Sequence, residues 1–196
     1  MRWILYGLGS VLVVAAVIVG LVQAGSGSDE RHAAKSVPPV DAARALDGAP
    51  PELAALYRQE GELLAGGRRA FEARRGDLLG HPVVVNAWAS WCGPCRYEFP
   101  FLQRQSLRFG KQVAFMGVDV TDNAADARAF LRRYPVPFPS YEDPKGTIAR
   151  SLVPSAGLPN TAFYDRNGRQ TYVHQGGYPN EAALQRDIER YALGGR

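Results

Sequence analysis

The sequence predicts an α/β fold, a central mixed β-sheet flanked by helices. Three observations predict it. Val83-Val84-Val85-Asn86-Ala87-Trp88 and Val113 to Val120 are short, largely apolar runs, each followed by a stretch with helical spacing. Such runs suit strands buried on both faces. Thr161 to Tyr164 and Arg169 to His174 flank Asp165-Arg166-Asn167-Gly168, a hairpin turn signal, and an amphipathic helix follows. A Cys-x-x-Cys, Cys92 to Cys95, lies where the first strand turns into its helix. The order β-α-β-α, then β-β-α, makes the sheet mixed and covers it with helices.

The elements follow in chain order. Trp3 to Val22 is an uncharged apolar run, about the length of a bilayer span. Arg2 precedes it, and Asp29, Glu30, Arg31 and Lys35 follow. The positive-inside bias then keeps the N-terminus in the cytoplasm and sends the rest outside. Residues 1–23 are therefore expected to form a transmembrane anchor. A signal peptide cut near Val22-Gln23-Ala24 is the alternative, although its apolar core is usually shorter. No cysteine ends the run, so a lipoprotein anchor is not expected. Residues 24–40, rich in Gly and Ser and holding Pro38-Pro39, read as a flexible linker.

Residues 41–80 read as a helical N-terminal extension. Leu53, Leu56, Tyr57, Leu63 and Leu64 recur at helical spacing, Pro50-Pro51 can start that helix, and Gly66-Gly67 can end it. A second helix from Arg68 to Leu79 puts Phe71, Leu78 and Leu79 on its apolar side. Residues 81–196 form the main domain. After the dithiol a helix runs to Phe109, with Pro100 removing the bond to the carbonyl of Arg96. Thr121 or Asp122 can cap the helix Ala124 to Tyr134, which turns Phe130 and Leu131 inward. Pro135, Pro137 and Pro139 mark an irregular stretch, and Gly146 to Leu152 is a short helix. Asn180 to Leu193 closes the domain through Ala183, Leu184, Ile188 and Tyr191.

The net charge of +4 is a mild excess with no basic-aromatic pattern, so a nucleic-acid partner is not expected. Arg68, Arg69, Arg74 and Arg75 read as a solvated face. Cys92 and Cys95 are the only two cysteines. At a strand-to-helix junction such a pair reads as a redox dithiol. The helix N-terminus offers Cys92 unpaired N–H groups and a positive dipole end, which favour the thiolate. Cys95, one turn later, can attack a mixed disulfide. A structural disulfide closing so small a loop would constrain the unfolded chain little. A zinc site needs four ligands, and His32, His81 and His174 are scattered. No metal and no cofactor beyond the dithiol are expected.

The stretch Val85-Asn86-Ala87-Trp88-Ala89-Ser90-Trp91-Cys92-Gly93-Pro94-Cys95-Arg96-Tyr97-Glu98-Phe99-Pro100, with the later Gly157-Leu158-Pro159-Asn160-Thr161-Ala162-Phe163 and Asp165 to Gly168, resembles the thioredoxin superfamily. Within it the chain looks like the membrane-anchored TlpA/ResA/CcmG (DsbE) branch. The resemblance covers Leu79 to about Leu193. Residues 41–80 depart from the branch, where a β-hairpin is expected. The resemblance implies a thioredoxin-like fold, and it implies roles. Cys92 is the attacking thiolate and Cys95 the resolving thiol. Gly93-Pro94 sets the redox balance. Pro159 is cis after Leu158, whose backbone pairs with an extended substrate. Trp91 belongs to the docking surface and Trp88 to the core. Asn86 stands where cytoplasmic thioredoxins carry a buried Asp, and Glu98 matches the acid that handles the Cys95 proton. His174 is expected to be an exposed strand residue.

The implied protein is a membrane-tethered thiol–disulfide oxidoreductase of the bacterial cell membrane, single-pass and monomeric, with its catalytic domain outside the cytoplasm. It would reduce disulfides in exported proteins such as apocytochrome c, with electrons from a membrane dithiol donor. An oxidase or isomerase would use the same residues, and a redox-switched binding module would use them without turnover. A peroxidase would need a cysteine set in a loop with Thr and Arg nearby, whereas both cysteines here lie in the dithiol motif.

Overall fold

The strand that enters the Cys-x-x-Cys is buried at every position, and the fold is built outward from it. In the computed structural model, residues 42–154 and 157–195 are described. The elements are α1 (Ala42–Ala45), α2 (Pro51–Tyr57), β1 (Leu63–Leu64), α3 (Gly67–Asp77), β2 (Val83–Trp88), α4 (Gly93–Phe109) and β3 (Ala114–Val120). They continue with α5 (Ala124–Arg133), β4 (Ser140–Asp143), α6 (Thr147–Leu152), β5 (Asn160–Tyr164), β6 (Gln170–Gln175), α7 (Glu181–Asp187) and a π-helical turn (Ile188–Ala192). The strands form one sheet in the order β1-β4-β3-β2-β5-β6. The pairs β1–β4, β4–β3 and β3–β2 are parallel. The pairs β2–β5 and β5–β6 are antiparallel. The sheet is therefore mixed, and the largely apolar run of β2 follows from its central place.

Two strands escape the sequence reading. Leu63 and Leu64 pair with Ser140 and Tyr141 instead of continuing a helix from Leu53. The helix stops at Tyr57, and Gly61 takes φ +62°, a left-handed conformation that glycine adopts readily. The Gly61 amide then bonds the Phe138 carbonyl. Beyond the irregular proline stretch, Ser140–Asp143 joins β3 as β4. The cap of α5 also moves one residue on. Asn123, not Thr121 or Asp122, accepts from the amides of Ala125 and Asp126.

Residues 42–80 share the core of the rest. Leu53, Leu56, Tyr57, Phe71 and Leu78 are buried, and the Tyr57 hydroxyl donates to the Val113 carbonyl at 2.7 Å. Leu79, expected on the apolar side of its helix, is exposed. The arginine face is only partly solvated. Arg74 donates to Gln59 Oε1 at 2.7 Å, and the Arg75 guanidinium lies 4.1 Å from the centre of the Tyr164 ring. No helix among the described residues is long and apolar enough to cross a membrane. The anchor expected over residues 1–23 and the linker over 24–40 lie outside the described residues.

Helices α4 and α5 lie on one face of the sheet through Trp88, which stacks on Phe130 at 4.7 Å and meets Phe99 edge-on at 5.2 Å. Its indole N–H donates to Ser140 Oγ at 3.1 Å. Gly117 makes this possible. A Cβ there would collide with Ser140 Oγ and come within 2.9 Å of the indole nitrogen. Gly117→Ala is expected to cost about 1–3 kcal/mol, the size of an overpacked core. The urea midpoint should fall with the m-value unchanged.

Candidate active site

Strand β2 ends at Trp88, and four residues later Cys92 caps α4 in extended conformation, with φ −81° and ψ 109°. Proline suits the first helical turn, because its missing N–H would have no partner there. Pro94 sits in that turn. Cys92 and Cys95 are joined as a disulfide, and the Cys95 amide points at Cys92 Sγ from 3.2 Å. That donor would stabilise a Cys92 thiolate. Cys92 keeps 4% of its surface exposed and Cys95 none, so the first cysteine is the one a partner can reach. Trp91 stands out beside it at 59% exposure, while Trp88 is fully buried.

Two distant segments meet beside Pro94 at the start of α4. The Leu158–Pro159 bond is cis; Leu158 is half-buried and Pro159 buried. The segment after β6 is the second. The Gly176 amide bonds the Pro159 carbonyl at 2.9 Å. A Cβ on Gly177 would lie 3.3 Å from the Pro94 Cβ and 3.9 Å from the Pro159 Cγ. This Gly-Gly segment carries no motif, and the sequence reading passed over it. Its only signal was a pair of glycines between a strand and Pro179.

Glu98 lies on α4 one turn beyond Cys95, and it is completely buried. Asn86 Nδ2 donates to its Oε1 at 2.8 Å and also to Thr161 Oγ1 at 3.1 Å. The Tyr178 amide donates to its Oε2 at 3.0 Å. Burial pushes the Glu98 carboxyl up to about 7, against these two hydrogen bonds, which pull it down. The group is thus poised to gain or lose a proton near neutrality.

A second buried acid, Asp119 at the end of β3, is 3% exposed. Burial, followed by the Asp122 charge beside it, pushes its carboxyl up to about 8. The sequence reading gave it no role. Asp122 holds the loop ahead of the dithiol, accepting from the Ser90 hydroxyl at 2.9 Å and from the Ser90 amide. Next to it, the Thr121 carbonyl accepts from the Trp91 indole at 3.3 Å. Thr121 has φ +50°, an unusual conformation for a β-branched residue. The β3–α5 turn therefore clamps residues 90 and 91. His174 is not simply an exposed strand residue: it is half-buried, its ring stacked on that of Tyr178 at 3.9 Å.

The arrangement can carry out thiol–disulfide exchange, with a reachable sulfur, a buried second sulfur and a carboxyl near it. Known proteins resemble this chain. It is 30% identical over 122 residues to the thiol-disulfide oxidoreductase ResA of Oceanobacillus iheyensis, covering 57% of this chain and 62% of that protein. It is 38% identical over 103 residues to the DsbE homologue, a thiol:disulfide interchange protein, of Paracoccus denitrificans, covering 51% and 55%. The chain thus spans less than two thirds of these relatives' length. A crystal structure of a DsbE-type thiol:disulfide interchange protein from Chlorobium tepidum superimposes with a TM-score of 0.54 at 32% identity, covering 60% of this chain and 84% of that one. It has the same thioredoxin-like fold. Residues 69–173 match the AhpC/TSA family, and the chain belongs to that family.

Proposed function

We propose that this protein is a thiol–disulfide oxidoreductase that reduces disulfides in exported proteins, with apocytochrome c as the candidate substrate. The observation that carries the reading is the Cys92–Cys95 disulfide at the start of α4, with its outer sulfur reachable and Glu98 buried one turn further on. In the reduced protein the Cys92 thiolate attacks a substrate disulfide. One substrate sulfur leaves as a thiolate and takes a proton, and a mixed disulfide forms. Glu98 accepts the Cys95 proton. The Cys95 thiolate then attacks Cys92, the substrate leaves with its second sulfur reduced, and the Cys92–Cys95 disulfide remains. Two electrons pass from the protein to the substrate.

The remaining residues shape the approach. Trp91 gives an apolar contact beside Cys92, Gly93 and Pro94 hold the helix start, and Leu158 and Pro159 line the side where an extended segment would lie. Reduction leaves the protein oxidised, so each cycle needs two electrons from a donor. A membrane dithiol carrier fits that need. A tether through residues 1–23 would raise the local concentration of the pair. On this reading the catalytic domain lies outside the cytoplasm of a bacterium, as a monomer.

The test is the reduction potential of Cys92/Cys95 in the full-length chain, equilibrated against dithiothreitol or glutathione. A value near roughly −270 mV, in the thioredoxin range, supports a reductant. A value near roughly −120 mV would make it an oxidant and overturn the direction proposed.

A further inference from the structure

Both hydrogen bonds that hold Glu98 trace back to one part of the molecule away from the dithiol. Asn86 supplies the first. Across the sheet it is in register with Thr161 of β5, and Thr161 is in register with His174 of β6. Cross-strand partners put their side chains on the same face, roughly 5 Å apart. Asn86, Thr161 and His174 therefore form one polar row running outward from Glu98.

Tyr178 supplies the second through its backbone N–H. Two glycines precede it, Gly176 with φ +87°, and they bring no side chain to hold the segment. The Tyr178 side chain is held on both its ring and its hydroxyl. Its ring lies against His174 with centres 3.9 Å apart and planes 13° from parallel. Its hydroxyl donates to Asp187 Oδ2 at 2.9 Å. The same oxygen is 3.6 Å from His174 Nδ1. Tyr178 is 1% exposed, and burial with the Asp187 charge keeps its hydroxyl protonated and donating. Beyond Tyr178, the Pro179 carbonyl is held by the Tyr97 hydroxyl at 3.2 Å.

We propose that His174 and Asp187 are positioning residues for Glu98: they grip the Tyr178 side chain and so keep the Tyr178 amide on the Glu98 carboxylate. The proposal rests on Glu98 being the acid of the exchange reaction, and it adds two residues that act on that acid through a third.

The test reads Glu98 directly. The full-length oxidised chain is labelled with carboxyl-13C glutamate, and the Glu98 resonance, assigned by its absence in Glu98→Gln, is titrated with pH. The wild-type midpoint is expected near about 7. In His174→Ala and in Asp187→Ala the amide loosens and the carboxylate loses part of one hydrogen bond. The midpoint should rise in both by roughly half a pH unit to one unit. His174→Phe keeps a stacking ring and should return to the wild-type value. Asp187→Asn keeps an oxygen for the tyrosine hydroxyl but loses the charge, so its midpoint should lie at or below the wild-type value and below that of Asp187→Ala. Unmoved midpoints in His174→Ala and Asp187→Ala overturn the proposal. So does a fall in Asp187→Ala, because removing a negative charge through space lowers the midpoint whereas loosening the amide raises it. A shift in His174→Phe equal to that in His174→Ala would assign the effect to the imidazole charge and also overturn it. The titration needs no substrate. Midpoints that move as expected in a chain that exchanges no disulfides would refute the oxidoreductase reading and leave the positioning intact. Unmoved midpoints in an active chain would do the reverse.

Discussion

Cys95→Ser protein, reduced and mixed with a disulfide substrate, should accumulate a stable mixed disulfide through Cys92, and turnover should drop to the uncatalysed rate. The first half of the exchange needs only the reachable sulfur of Cys92 and the amide donor behind it. The second half needs a nucleophile inside the site, and Cys95 is the only other cysteine of the chain. Serine is too weak an acid to replace a thiolate there. Cys92→Ser should show neither turnover nor adduct, because the remaining sulfur is fully buried. The check is non-reducing electrophoresis with mass spectrometry of the adduct. An adduct through Cys95 in the Cys92→Ser protein would reverse the assigned roles.

Glu98→Gln is expected to slow the release step by about a hundred-fold, the low end of what a positioned general base contributes. The pH profile should change with it. On the proposed mechanism, only the carboxylate form of Glu98 accepts the Cys95 proton. The rate should therefore fall as the pH drops through about 7. In Glu98→Gln that inflection should vanish, as rapid-quench trapping of the mixed disulfide across pH 5–9 would show. Stability should respond in the opposite sense. The carboxyl binds its proton more tightly when folded, so its stabilising term is complete below its ordinary value and is lost as pH rises to about 7. Glu98→Gln removes that loss. The variant should gain up to about 3 kcal/mol over the wild type at pH 8 relative to pH 5. Asp119 is pushed in the same direction, so both proteins keep a residual pH slope. Only the difference between their urea curves isolates Glu98. A rate profile unchanged by the substitution would remove Glu98 from the mechanism.

The parts legible in the sequence were those whose signal is local. The run Val83 to Trp88 shows its burial in six adjacent letters, and Cys92 to Cys95 shows its chemistry in four. The turn Asp165 to Gly168 announces its hairpin by residue type. Glu98 was placed near Cys95 by the family resemblance and by its three-residue spacing on the helix. Its burial was not visible, because it depends on Asn86 from β2 and on Tyr178 from beyond β6. Strand β1 has two residues and β4 has four, too few for a period to emerge from the prolines and leucines around them. Leu64 fitted a helical period by chance and a strand by pairing. Asp122 looked like a helix cap because Asp is a common one. Its partner, Ser90, lies 32 residues earlier, and no local rule connects them. Tyr178 acts on Glu98 through a backbone N–H, a group that every residue but proline possesses. No residue pattern could single it out. His174 was misjudged for a related reason: strand alternation gives a face, but not the ring that later covers it.

The Tyr178 amide reaches Glu98 across 80 residues of chain, and Thr161 reaches Asn86 across 75. Synthesis runs from the N-terminus, and contacts this distant in sequence form late because the intervening loop must close first. A chain still emerging from the ribosome therefore exposes Cys92 and Cys95 before it has β5, β6 or the segment that follows. At that stage the two sulfurs have a nascent helix at most, with no acid held in place. Products truncated before the last strand would keep both thiols yet lack the tuned reagent. On the proposed mechanism the reactivity of the pair thus depends on completion of the chain: a half-made copy has both thiols but not the buried acid beside them.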